Sequence, residues 1–165
     1  MYNRTLAGRM ELITHNSKVL EGNPLSDPTE RQFPVYLPPG YSADAQPYPV
    51  LYALAGFTGT GPNMINYSVW DETLPEQIDD LIASEKCPPA IVVMPDCFTR
   101  FGGSQYLNSP AMGRYEDYLI DDLVRLIDQI FNTRGDAANR AVMGKSSGGY
   151  GALTLAMKHP DIFAV

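Results

Sequence analysis

An α/β architecture, a mostly parallel sheet with helices on both faces, is the fold class this chain predicts. Three observations predict it. Three short runs, 49–54, 90–94 and 140–143, are almost continuously apolar, as strands buried on both faces of a parallel sheet must be. Between them, apolar residues recur at helical spacing. The last run passes directly into Gly144-Lys145-Ser146-Ser147-Gly148 and then a helix-forming segment, which is a strand-turn-helix unit.

The elements follow in chain order. Residues 9–20 are mixed in character and predict an antiparallel edge strand, with Gly22-Asn23-Pro24 as its turn. Residues 32–37 form a second strand and 49–54 a third. Leu74, Ile78, Leu81 and Ile82 then repeat at helical spacing, as do Tyr115, Leu119, Leu123, Ile127 and Ile130 after the strand at 90–94. The opposite faces carry Glu76, Asp79, Asp80, Asp117, Asp121, Asp122 and Asp128, and solvated helix surface accounts for most of that acidic charge. A long loop runs from Asp96 to about Arg114 and leaves the carboxyl end of a strand, where open α/β sheets hold their ligands. Residues 162–165 read as the start of another strand.

Composition bounds the function. At 165 residues and 44% hydrophobic content the chain can build one core. A net charge of −7 with no basic cluster argues against nucleic acid or an anionic membrane as a partner. No run approaches the ~18 apolar residues of a membrane span, and the opening residues lack a signal-peptide pattern, so a cytoplasmic protein is the expectation. Cys87 and Cys97 flank an extended segment, 89–95, that spans roughly 23 Å. That is too far for a disulfide, and neither cysteine has a second ligand at metal spacing, so free thiols and no metal are expected.

Chemistry centres on Gly144-x-Ser146-x-Gly148. A turn this tight from strand to helix strains its central residue and crowds the flanking ones, which is why glycines surround Ser146; this is the nucleophile elbow of an α/β-hydrolase fold. The phosphate-loop alternative fails because Asn139 stands where its first glycine is needed. A serine hydroxyl also needs a histidine to take its proton and a carboxylate to orient that histidine, in the order Ser, acid, His. Seventeen residues follow Gly148, and the histidine among them, His159, lies at the expected end of the same helix, where capping explains it. His15 sits in the edge segment, so the acid and base are not expected within this chain. Gly56-Phe57-Thr58-Gly59-Thr60-Gly61 follows another buried strand, where such a fold requires an oxyanion hole; the backbone N–H groups of Phe57 and Ser147 are the candidates. Asp96 either shapes the pocket or caps its loop, and Tyr106 suggests an aromatic substrate-binding wall.

With Val35-Tyr36-Leu37-Pro38-Pro39-Gly40-Tyr41, Ala55-Gly56-Phe57-Thr58-Gly59, Met94-Pro95-Asp96 and Gly144-Lys145-Ser146-Ser147-Gly148 in this order, the chain resembles the esterase D-like branch of the α/β-hydrolases from about residue 30 to 165. The resemblance implies Ser146 as nucleophile, the amides of Phe57 and Ser147 as the oxyanion hole, and no cofactor. It also implies a longer domain, so residues 1–165 are expected to be the N-terminal portion of a single α/β-hydrolase domain, cut after the helix that follows the elbow. Further strands or another chain would complete it, which leaves an apolar sheet edge open to a complementing chain or a second copy. The expected activity is hydrolysis of a small-molecule carboxylic ester or thioester through an acyl-enzyme on Ser146. The alternatives are acyl transfer to another alcohol, and a catalytically silent module that keeps the fold.

Overall fold

The computed structural model describes residues 5–164. Strands β1 (Arg9–Asn16), β2 (Glu30–Leu37), β3 (Val50–Leu54) and β4 (Ile91–Val93) are followed by four two-residue strands: β5 (Phe98–Thr99), β6 (Gly102–Gly103), β7 (Asn108–Ser109) and β8 (Gly113–Arg114). Strand β9 (Arg140–Gly144) comes last. The main sheet runs β1-β2-β4-β3-β9. Its half made of β4, β3 and β9 is parallel, with Val50 opposite both Ile91 and Arg140, whereas β1/β2 and β2/β4 are antiparallel. The sheet is therefore mixed. Only the three continuous apolar runs pair in parallel, and β2 runs against them.

Side-chain alternation divides the core into two layers. Phe33, Val35, Leu37, Val50, Tyr52, Leu54, Ile91 and Val93 face one side. Tyr36, Ala53, Val92 and Met94 face the other, where Ile78 and Ile82 of helix α1 (Leu74–Ala83) cover them. Helix α1 begins at a capping box in which Thr73 and Glu76 satisfy each other's backbone groups. On the first side lie α2 (Tyr115–Asp117), a π-helical stretch Tyr118–Leu123, α3 (Val124–Ile130) and α4 (Ser147–Lys158). The π turn widens the helix to more than four residues per turn. It lets Tyr118, Leu119, Ile120 and Leu123 all be buried.

Several expectations change. The first strand ends at Asn16, because the buried Ser17 hydroxyl bonds to Asp122 and accepts the Leu20 amide, which starts a turn. Leu81 and Ile130, read as core, are exposed. The carboxylates opposite them are not simple solvated surface. Asp79 is buried and accepts the amides of Ala7 and Gly8 and the Tyr36 hydroxyl, at 2.7–2.8 Å. Asp128 pairs with the buried Arg140 guanidinium at 2.7 Å. The loop 96–114 holds two small hairpins, β5/β6 and β7/β8.

The expected strand at 162–165 does not start within the described residues, which stop before Val165. The amides of Ile162 and Phe163 both donate to the His159 carbonyl, making a turn, and Phe163 is anchored edge-on against Tyr52 at 5.6 Å. Strand β9 has β3 as its one neighbour in the sheet, so among the described residues its far side is an edge. No described helix is long and apolar enough to cross a membrane. Cys87 and Cys97 are both free thiols.

Candidate active site

Strands β3 and β9 lie side by side in parallel, and their last residues, Leu54 and Gly144, are register partners. The chain leaves both strands at the same end of the sheet, and three residues further on each path reaches a candidate oxyanion donor, Phe57 on one and Ser147 on the other. A pair of amides from distant parts of the sequence is thereby brought to one end of two neighbouring strands.

The elbow has the geometry its composition predicts. Ser146 has φ 57° and ψ −119°, a strained conformation for a residue with a side chain, and it is exposed at the tip of the turn as the N-cap of α4. The glycines on either side are dictated by contact. A Cβ on Gly144 would lie 2.8 Å from the Gly148 Cα, and one on Gly148 would lie 2.7 Å from the carbonyl carbon of Leu54 and 2.8 Å from the Ala55 oxygen. Helix α4 therefore packs backbone to backbone against the ends of both strands. The positive end of its dipole stands directly behind Ser146.

The Gly56–Gly61 turn is closed by a bond from the Gly59 amide to the Gly56 carbonyl, 3.0 Å, and continues into a one-turn helix, Gly61–Ile65, capped by Thr60 and Asn63. No hydrogen bond among the described residues takes up the amide of Phe57 or of Ser147. The Phe57 ring is half-exposed and rests on the β5/β6 hairpin, where a Cβ on Gly102 would sit 2.8 Å from it.

Neither histidine reaches this point. His159 ends α4, about 18 Å along a helix of twelve residues from Ser146. There it contacts Glu116 at 2.9 Å, and the same carboxylate takes Lys158 at 2.8 Å. Burial works to raise the Glu116 pKa, but hydrogen bonds from Lys158 and His159 outweigh it and hold the group below the ordinary glutamate range. His15 is on β1, four strands from β9, and lies 3.5 Å from Asp122. Asp96 does what a loop cap does: it accepts the Phe98 amide at 3.1 Å and sits 3.4 Å from Arg31.

Tyr106, the expected aromatic wall, lies inside the fold. The ring is buried, with 5% of its surface accessible, because it fills the space above Gly151, and its hydroxyl donates to the Ala55 carbonyl at 2.6 Å. Burial raises its pKa far above the ordinary tyrosine value, so the hydroxyl stays protonated and remains a donor.

Two features carried no sequence signal. Gln105 accepts a hydrogen bond from the Ser147 hydroxyl at 2.8 Å. Arg31, itself buried, reaches the Tyr115 hydroxyl at 2.7 Å and the Phe98 carbonyl at 2.8 Å, and so ties the start of the long loop to the sheet. The Gly102-Gly103 pair was visible in the sequence, but its reason, close approach to Phe57, was not. Among the described residues no group of three or more His, Cys, Asp or Glu could hold a metal ion.

Comparison with known proteins bears on the same region. The family model described as Putative esterase matches residues 26–165. The chain is 35% identical over 136 residues to an endo-1,4-beta-xylanase/feruloyl esterase of Xylanibacter ruminicola, covering 78% of this chain and 18% of that protein. It is 30% identical over 166 residues to the S-formylglutathione hydrolase of Mus musculus, covering 96% of this chain and 55% of that one. Among solved structures, a ferulic acid esterase superposes with a TM-score of 0.76 at 28% identity, over 96% of this chain and 58% of the other. The S-formylglutathione hydrolase of Agrobacterium tumefaciens superposes with a TM-score of 0.72 at 26% identity, over 98% and 57%. The chain thus spans little more than half the length of these relatives, and less of the first.

Proposed function

We propose, from the premise that this chain belongs to the Putative esterase family of the α/β-hydrolase fold, that it contributes the nucleophile and oxyanion hole of a serine esterase. Ser146 attacks the carbonyl carbon of an ester or thioester. The developing oxyanion is met by the amides of Phe57 and Ser147, the alcohol or thiol departs, and water releases the acid from the acyl-enzyme. The observation that carries this reading is the backbone of Ser146 itself. A strained, exposed serine at φ 57° and ψ −119°, held at a helix N-terminus between two glycines, has no packing role that would repay its conformation. The relatives named above act on feruloyl esters and on S-formylglutathione, so carboxylic esters and thioesters of small molecules are the proposed substrates.

The general base and its acid, in this reading, come from residues other than 5–164. Strand β9, with its free edge beside the elbow, is where a further strand or a complementing chain would join. One observation favours the rival reading of a silent fold: both histidines lie away from Ser146, His159 in contact with Glu116 at 2.9 Å and His15 on β1, 3.5 Å from Asp122. A fluorophosphonate probe followed by intact-mass measurement separates the two. Labelling of the wild type that is lost in Ser146→Ala supports the esterase. Because this reading places no base within residues 5–164, an unlabelled wild type counts for the silent fold only when the segment or chain that joins the sheet beside β9 is present.

A further inference from the structure

An oxyanion hole built from two segments works only if the separation of its donors is held, because an error of 1 Å in position costs about 100-fold in rate. The Phe57 amide rides on a turn after β3, and the Ser147 amide rides on the first turn of α4. The register of β3 and β9 fixes where these paths begin, at Leu54 and Gly144, but not where they stand three residues later.

A third segment touches both. The Tyr106 hydroxyl donates to the carbonyl of Ala55, two residues before Phe57, at 2.6 Å. The adjacent Gln105 side chain accepts from the Ser147 hydroxyl at 2.8 Å. The Tyr106 ring packs on Gly151 so closely that a Cβ there would lie 2.8 Å from its Cγ, which seats the ring against the first turns of α4. A few residues earlier the backbone of Gly103 covers Phe57, where a Cβ would come 2.7 Å from the Phe57 carbonyl oxygen. Gln105 and Tyr106 both have φ 58°, the left-handed region that side chains disfavour, and two such residues in succession persist only where surrounding contacts impose them. That conformation sends the two neighbouring side chains to two different partners, the end of β3 and the start of α4.

We propose that Gln105 and Tyr106 are positioning residues that hold the two oxyanion donors at working separation, a brace supplied by the loop after β4. The proposal rests on the oxyanion-hole reading of Phe57 and Ser147. Neither side chain touches the reacting atoms. Their effect on catalysis passes through Ala55 and Ser147, so they change the transition state without changing ground-state binding.

The test uses the whole chain, with Tyr106→Phe, which removes one hydroxyl, and Gln105→Ala, which removes the acceptor while leaving the backbone preference unrelieved. On 15N-labelled protein the amides of Phe57 and Ser147 are expected at rigid-backbone order parameters of about 0.85, falling below about 0.6 in the variants, with β1 and α1 unaltered. Unchanged order parameters at both amides overturn the brace. With the segment or chain that supplies the base and acid present, hydrolysis of p-nitrophenyl acetate gives the functional readout: kcat falls about 10- to 100-fold with KM within about twofold. If Ser146→Ala abolishes turnover while Tyr106→Phe and Gln105→Ala leave kcat unchanged, the brace is wrong and the nucleophile reading stands. If Ser146→Ala has no effect, the nucleophile reading is wrong and the order parameters alone decide the brace.

Discussion

Gly148→Ala is the sharpest test of why the elbow carries glycine. The added methyl would lie 2.7 Å from the Leu54 carbonyl carbon, closer still to its oxygen, and 2.8 Å from the Ala55 oxygen. Carbon contacts sit near 3.5 Å, so the overlap approaches about 0.8 Å. Every obstructing atom is backbone of a strand or its continuation, and no side chain can rotate away. Overpacking costs about 1–3 kcal/mol and sometimes more, and a rigid wall puts this site at the upper end. Alanine in a helix returns about 1 kcal/mol relative to glycine. The net loss is therefore about 2 kcal/mol or more, which in urea lowers the unfolding midpoint by about 1 M at an m-value of about 2 kcal/mol/M. The neighbouring Gly149→Ala is the control. Its methyl would stand 3.2 Å from the Gly144 oxygen, a tight but adjustable contact, and its midpoint should stay within about 0.5 M of wild type. Equal midpoints for Gly148→Ala and wild type would refute the close-packing account of the motif.

Two further predictions concern the carboxylates. Asp79→Asn turns an amide group toward the Ala7 and Gly8 N–H groups and should cost about 2–3 kcal/mol at neutral pH, measured by urea unfolding. Burial works to raise the Asp79 pKa, but the Gly8 and Ala7 amides and the Tyr36 hydroxyl outweigh it and hold it below the ordinary aspartate value. A group depressed in the folded state stabilises above its unfolded pKa and loses that contribution as pH falls through the folded one. The gap between wild type and Asp79→Asn should thus narrow below about pH 4, and a gap constant from pH 7 to 3 would contradict the assignment. Asp128→Ala removes the counter-charge of the Arg140 guanidinium and leaves it the Ile162 carbonyl at 3.1 Å; the Arg140 side chain is 4% exposed while that of Asp128 is 28% exposed. Partial solvation of the carboxylate lowers the usual 3–5 kcal/mol for breaking a buried pair to about 2 kcal/mol. A change under about 0.5 kcal/mol would mean the pair is idle.

The strands were legible wherever burial on both faces left continuous apolar runs, and the elbow was legible because its steric demands leave a signature of small residues. Strand β2 showed its existence but not its direction, since antiparallel pairing with β4 is decided by the path of the intervening chain. The acidic residues misled for a related reason. Asp79 and Asp128 occupy helix positions that periodicity assigns to solvent, yet distant partners, Gly8 in one case and Arg140 in the other, arrive there only when the sheet forms.

Local features, then, were legible in the sequence alone: Ser146 at a tight strand-to-helix turn, and a glycine-rich turn after a second buried strand. These follow from short-range rules, namely the steric limits of a turn and the period of a helix or strand. What tertiary structure decided was convergence. Leu54 and Gly144 became register partners, Phe57 and Ser147 came to one end of the sheet, and Gln105 and Tyr106 reached both from a loop whose spacing announced none of this. Contacts between residues forty or ninety positions apart depend on how strands are ordered in the sheet, and no local pattern records that order.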